Sequence, residues 1–433
     1  MHVAHAGDMP IPPVSLSLPR TSRASSRPGP AGTPARHEAR HRRGFWVVVG
    51  AFLVLMAFTT LPTPLYPLYQ RLDGFPTFVI TVVFAAYGFG VMAGLYLAGH
   101  VSDYLGRRRV LLAATGVELV SAVLFVLLHD TTSLLIARFL CGLGIGAVTA
   151  TATAHLAELH AVGRPGSDSG FASVVAGAVN TGGLALGPLV AGLLTQWLPA
   201  PLVLPYAVWV VLLLVALGAL LLAPETVERR GPRPAYRPQR VRVDPHVRAE
   251  FSAAAVAAAA AFSVLGLFTS LTASFVGGTL GVHSRLVTGS IVFGVIGASA
   301  VSQVVLGRRD VRLRLRAGMA LMGAGLVLVA VGAWTTTLAV FVVSGVLAGA
   351  GVGLVFNVAL TTAGTLASAG RRGETLAGMF LAAYAGITVP VIAAGVALTW
   401  FPAPGVLVVF AAVVLVAVLT STTRMLAHTR PSP

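Results

Sequence analysis

Gly99-His100-Val101-Ser102-Asp103-Tyr104-Leu105-Gly106-Arg107-Arg108-Arg109 is a short charged link between two long apolar runs. The run before it, from about Thr77 to Ala98, is long enough to cross a bilayer, and so is the run after it, from Val110 to Leu128. A helical span needs roughly 20 apolar residues at about 1.5 Å of rise each. The link therefore sits at a membrane surface, because an acid and three arginines are costly in hydrocarbon and cheap among headgroups. Gly106 permits a tight turn, having no Cβ to clash at positive φ. Gly99 allows a neighbouring helix to approach closely.

Composition extends this reading to the whole chain of 433 residues, which is 56% hydrophobic and 10% charged. A soluble domain carries about 25% charged residues. The net charge of +16 does not point to nucleic acid, because the arginines lie between apolar runs and not along one amphipathic surface. There is no lysine, hence no P-loop lysine for ATP hydrolysis and no lysine Schiff base. The single cysteine, Cys141, excludes an intrachain disulfide and reads as a small packing residue.

Residues 1–43 are rich in Pro, Ser, Ala and Arg and are expected to be a disordered tail. The tail does not read as a signal peptide, since the apolar run after it is too long and no clear small-residue cleavage site follows. A start site placed too early is the alternative. Twelve spans are expected near 45–68, 77–99, 109–128, 133–157, 168–195, 202–222, 250–276, 285–306, 316–334, 338–363, 374–400 and 404–422. The polar, arginine-rich link at 223–249 divides them into two six-helix bundles, 44–222 and 250–422, and 423–433 forms a second tail. With the N-terminus inside, 27 of the 30 arginines fall in inner segments, Arg71 and Arg285 fall outside, and Arg138 lies within a span. That asymmetry places both termini in the cytoplasm and the chain in the cytoplasmic membrane. An internal repeat supports two pseudo-symmetric halves. Arg138-Phe-Leu-Cys-Gly142-Leu-Gly144-Ile-Gly146 aligns with Gly345-Val-Leu-Ala-Gly349-Ala-Gly351-Val-Gly353, Leu-Gly106-Arg107-Arg108 recurs as Leu-Gly307-Arg308-Arg309, and Gly187-Pro188 has a weaker echo in Val389-Pro390.

The opening stretch resembles the signature loop between the second and third helices of the major facilitator superfamily: Gly, three residues, Asp, two residues, Gly, Arg, then Arg or Lys. Gly99, Asp103, Gly106, Arg107 and Arg108 fill every fixed position, after two expected spans. The resemblance implies an all-α membrane protein of 12 transmembrane helices that works by alternating access. It also implies that Asp103 caps the start of span 11, near Gly373 to Leu376, and holds the cytoplasmic side shut. A carboxylate at a helix's positive end is the physics of such a cap. Glu158, at the inner end of span 4, is within reach of Arg107 or Arg108 and completes a latch. The alternative for both acids is a solvated surface.

Arg138 lies inside span 4, ahead of a glycine-rich run, and its setting resembles that of the arginine implicated in proton transfer in proton-coupled members. The alternative is an arginine snorkelling to the outer headgroups. Glu118, near the middle of span 3, is the candidate acid of the pair. Burial raises its proton affinity and a nearby arginine lowers it, but a permanently protonated Glu118 bonded to a neighbour stands equally open. Asp73 and Asp130 are expected to be solvated. In span 5, Gly183, Gly187, Pro188 and Gly192 look like the Gly-Pro signature of antiporters in this superfamily, with Ala191 in place of one glycine. An ordinary small-residue packing face is the other reading. Pro62, Pro64 and Pro67 make the end of span 1 irregular. Tyr66, with Thr63, is a candidate to face substrate. Asn180, Asn357 and Tyr384 are either cavity residues or interhelical hydrogen-bonding groups.

The resemblance thus implies a secondary transporter, similar to the drug:proton antiporter branch, that exports a small amphipathic or hydrophobic molecule. Its expected partners are that molecule, the proton and the lipid bilayer, with the proton gradient as energy source, no cofactor, no metal and a monomeric chain. A proton-coupled importer is the nearest alternative. A membrane-embedded enzyme has no His-Glu-x-x-His or Gly-x-Ser-x-Gly pattern to support it, and a non-transporting sensor is the remaining class.

Overall fold

A computed structural model describes residues 33–168, 170–227, 236–239, 241, 243–368 and 372–428. Residues 1–32 of the expected tail, part of the link and the last residues lie outside the described ones. Twelve helices are long and apolar enough to cross a membrane, and among the described residues there is no strand. Span 1 is the helix Thr33–Thr60, carried on through a 3-10 turn at Thr63–Leu65 into the helix Tyr66–Asp73. Spans 2 to 6 are Thr77–Ala98, Arg107–Leu127, Thr131–Gly163, Gly170–Trp197 and Leu204–Leu222. Spans 7 to 12 are Arg248–Gly278, Arg285–Leu306, Val311–Thr335, Leu338–Leu366, Arg372–Ala397 and Ala403–His428.

Several boundaries differ from the sequence reading; the last helix runs on to His428, taking in the first residues of the expected 423–433 tail, and span 9 begins at Val311. The first helix begins at Thr33, so residues 33–43 are helical and not part of a disordered tail. Ala35, Arg36, Glu38, Ala39 and Arg40 are good helix formers, and extending an existing helix avoids the cost of nucleation. Span 4 runs on to Gly163, which puts Glu158 on a helix.

Each half has its own apolar core, one drawn from residues between Phe45 and Ala223, the other from residues between Ala253 and Met425. Small residues set the helix spacing. A Cβ on Gly142 of span 4 would strike the Tyr87 carbonyl of span 2 and lie 2.8 Å from the Val91 nitrogen. Without a hydrophobic drive between helices in lipid, close backbone contact of this kind supplies the packing energy.

The halves meet along two seams. Phe84 of span 2 packs on Ile387 and Val391 of span 11, and Ala185 of span 5 packs on Val292 and Ile296 of span 8. Both seams lie in the part of the helices remote from the link between the halves, the far end. There Arg285 Nη1 donates to the Thr195 carbonyl at 2.5 Å, and the Arg285 amide donates to Gln196 Oε1 at 3.1 Å. At the linker end the link itself stands between spans 2 and 11. The Gln239 amide donates to the Tyr96 carbonyl at 2.8 Å and Tyr236 OH to the Leu97 carbonyl at 3.0 Å, while Val241 lies against Gly378 of span 11. The molecule is closed at the far end and parted at the linker end.

Asp73 and Asp130, expected as solvated loop acids, hold the start of span 4. Asp130 accepts from the Ser133 amide at 3.0 Å and its hydroxyl at 2.6 Å, and Asp73 accepts from the Thr131 amide at 2.6 Å. Those amides have no intrahelical partner, so each carboxylate meets a donor that the helix leaves open. The Ser133 hydroxyl and amide hold the Asp130 carboxyl below its ordinary range. A lowered folded-state pKa means the cap contributes above the unfolded value and is lost as pH falls through the folded value. Thermal unfolding of the purified protein should therefore show Asp130→Asn less stable than the parent near neutral pH. The gap should stay open above the unfolded pKa of about 3.9 and close as the pH falls from there through the lowered folded value.

Candidate transport site

The charged stretch 99–109 folds as the short helix Ser102–Leu105, a turn at Gly106 with φ of +107°, and the start of span 3. Glycine is required there twice over: the backbone is left-handed, and a Cβ would lie 2.8 Å from the Glu225 carboxyl carbon. Arg107 spreads over several partners. Its Nη1 donates to Asp103 at 2.5 Å and to Ser102 Oγ at 2.7 Å, and its Nη2 donates to Glu158 at 3.0 Å. Glu158 also accepts from the Thr226 hydroxyl. Arg108 donates to the Leu221 and Ala223 carbonyls at 3.3 and 3.2 Å. The link thus ties together spans 3, 4 and 6 of one half.

Asp103 differs from what the resemblance implied. Its side chain is 63% exposed and its described partner is Arg107, not the start of span 11. The reason is the state of the molecule: the halves are parted at the linker end, and Gln239 and Val241 stand between spans 2 and 11. Glu225 was missed. It accepts from the Arg107 amide at 2.8 Å and so caps span 3. The signal was present as Ala223-Pro224-Glu225-Thr226, an acid following directly on an apolar run, but only the fold brings it to the positive end of another helix.

Arg138 does not snorkel. It is 1% exposed, with Nη1 donating to the Thr59 carbonyl at 2.6 Å and Cζ 4.6 Å from the centre of the Tyr87 ring. A guanidinium stays charged, so the carbonyl and the ring face stand in for water. Glu118 is fully buried, facing Gly144 of span 4, and among the described residues neither of its oxygens has a hydrogen-bond partner of good geometry. The structure brings both side chains to span 4 without a described hydrogen bond between them.

The remaining candidates separate. Tyr66 is 1% exposed and packs inside the first core with Tyr69 and Tyr206, so it does not line an opening in this state. Asn357 Oδ1 accepts from Arg314 at 2.8 Å, within the second half. Asn180 is half-buried on span 5. Gly183 and Gly187 face Met56 and Ala57 of span 1, whereas Pro188 and Gly192 face Gly289 and Arg285 across the seam. Tyr384 alone among them sits in a ring cluster between the halves, 6.4 Å from Tyr87 and 5.5 Å from Phe262. Phe262 stands 4.7 Å from Phe356, which stands 6.2 Å from Phe380. These rings were not singled out from the sequence, where lone aromatics in spans look like lipid-facing residues. Phe262, Phe356, Phe380 and Tyr384 are all partly exposed.

The Arg107 fork has a direct test. Lysine keeps the charge but cannot bridge Ser102, Asp103 and Glu158 at once. Arg107→Lys should lower the thermal unfolding midpoint by several degrees. Arg109→Lys, at an exposed position, should leave it unchanged.

The family model of the Major Facilitator Superfamily matches residues 47–317. An uncharacterized MFS-type transporter of Mycobacterium tuberculosis (strain H37Rv) is 34% identical over 168 residues, 39% of this chain and 24% of its own length. The arabinose-proton symporter of Bacillus subtilis (strain 168) is 32% identical over 81 residues, 19% of this chain and 18% of its own length. The chain thus covers about a quarter or less of these curated relatives. The crystal structure of the human organic anion transporter MFSD10 (TETRAN) matches with a TM-score of 0.64 at 16% identity, over 88% of this chain and 99% of that one. A peptide transporter POT in complex with sulfate gives 0.71 at 14% identity, over 89% and 94%. At such identities the likeness is one of fold. Matched over more than half its length and carrying twelve helices long and apolar enough to cross a bilayer, the chain belongs to the Major Facilitator Superfamily and is a multi-pass membrane protein.

Proposed function

We propose that the chain is a monomeric exporter in the cytoplasmic membrane, moving a small amphipathic, ring-bearing compound outward in exchange for protons. The observation that carries this reading is the ring cluster. Tyr87 from one half meets Tyr384 from the other, Tyr384 meets Phe262, Phe262 meets Phe356, and Arg138 stands behind Tyr87. Edge-to-face and tilted rings with few polar groups suit an amphipathic aromatic compound better than a sugar, which needs many hydrogen-bond partners. The arginine asymmetry supports cytoplasmic termini, and with that orientation the closed far end is the outer gate.

In this scheme Glu118 takes up a proton when buried apart from any donor and releases it when the field of Arg138 reaches it. Closing the linker end brings Asp103 to the start of span 11, and Gln239 and Val241 must then leave the seam. The Gly-Pro pattern of span 5 supports exchange. A proton-coupled importer is the second reading, favoured by the short match to a proton symporter.

Direction and coupling are read together in inverted vesicles with an acid interior. Uptake of a fluorescent amphipathic dye that collapses with a protonophore supports export, and uptake only with an alkaline interior supports import. Glu118→Gln should abolish gradient-driven flux while leaving dye binding by the purified protein within about twofold. Equal loss of binding would remove Glu118 from the coupling role.

A further inference from the structure

Spans 5 and 11 each carry a proline inside the helix, Pro188 and Pro390. Proline has no N–H, so the carbonyl four residues earlier loses its helical donor. At membrane depth no bulk water replaces that donor. The two orphaned carbonyls are those of Leu184 and Gly386. Both are taken by a hydroxyl from the first helix of their own half. Thr60 Oγ1 donates to the Leu184 carbonyl at 2.7 Å, and Ser263 Oγ donates to the Gly386 carbonyl at 2.9 Å. Each hydroxyl also has a carbonyl of its own helix in range. That of Ala57 is more distant, at 3.5 Å, and that of Ala259, at 2.8 Å, shares the Ser263 proton. The same device appears in both halves, on corresponding helices.

In the first half the device has neighbours on both sides. The Thr59 carbonyl accepts from Arg138 at 2.6 Å. On the other helix, the Pro188 carbonyl presses against Gly289 of span 8, and a Cβ on Gly192 would lie 2.6 Å from the Arg285 carbonyl. A proline bend can swing, and its direction is set by whatever holds the freed carbonyl. Here that holder is adjacent in sequence to the residue that holds the buried guanidinium.

We propose that Thr60 is a positioning residue for transport, whose clasp on the Leu184 carbonyl ties the Arg138 site to the span 5 gate that closes on span 8, with Ser263 serving span 11 in the same way. The inference requires a transporter with two moving halves. It does not depend on the direction of transport or on the coupling ion.

The test uses the full chain in lipid nanodiscs, with Cys141→Ala and spin labels at Trp197→Cys and His283→Cys, both exposed at the far end. Thr60→Val should reduce the short-distance, gate-closed population at least threefold, and Thr60→Ser should retain it. The decisive comparison adds Pro188→Ala, which returns an N–H to the Leu184 carbonyl and makes the clasp redundant. In that background Thr60→Val should have less than a quarter of its former effect. An equal shift with and without Pro188, or no shift at all, overturns the proposal. If Thr60→Val fails to fold, Ser263→Ala with and without Pro390→Ala, labelled at Leu72→Cys and Trp400→Cys, should show the same dependence on proline. A response indifferent to proline is again fatal.

Discussion

In hydrocarbon a backbone carbonyl without a donor has no water to turn to, and each such group costs several kcal/mol. That constraint makes every crossing a helix and confines irregular backbone to protein-shielded places. The break in span 1 at Thr63–Leu65 is fully buried. The Pro188 and Pro390 breaks are covered by hydroxyls from neighbouring helices. At Pro188 and Pro390 a side-chain hydroxyl thus substitutes for the missing amide.

Helix ends obey the same rule at the membrane surface. Glu225 accepts from the first amide of span 3, Asp130 from the first turn of span 4, Ser284 from that of span 8 and Asp310 from that of span 9. Three of these are acids, and acids are scarce here, with 14 in 433 residues. A carboxylate at a helix start meets both open amides and the positive end of the dipole, so it is held more firmly than an exposed ion pair. The arginines of 107–108 are then free to bind carbonyls and carboxylates from spans 4 and 6.

The fold was legible because a crossing helix needs about 20 apolar residues and charges collect between crossings. Its number of spans and the surface position of the 99–109 link follow from that alone. The helical continuation to Thr33 was not legible, since a basic stretch with neighbouring prolines has the composition of a tail. Glu118 and Arg138 could be found as charges out of place in apolar runs. Their partners could not, because Thr59 and Tyr87 are ordinary residues until the helices pack. The ring cluster joins Tyr87 to Tyr384 across nearly 300 residues of sequence, and no local pattern marks such a pair. The prolines around Tyr66 mark an irregular segment, but they do not mark that its kink folds the ring into the core in this state.

The exposed Asp103 and the packed far end are two sides of one geometry. The two separate cores are joined by seams at the far end, while the link between the halves stands between them at the other. With Ile387 and Val391 against Phe84 at the far end, the start of span 11 is held away from the 99–109 link. Asp103 then has only its own arginine to bind, and the link between the halves occupies the gap. Its 63% exposure and its bond to Arg107 follow from that placement of the two cores.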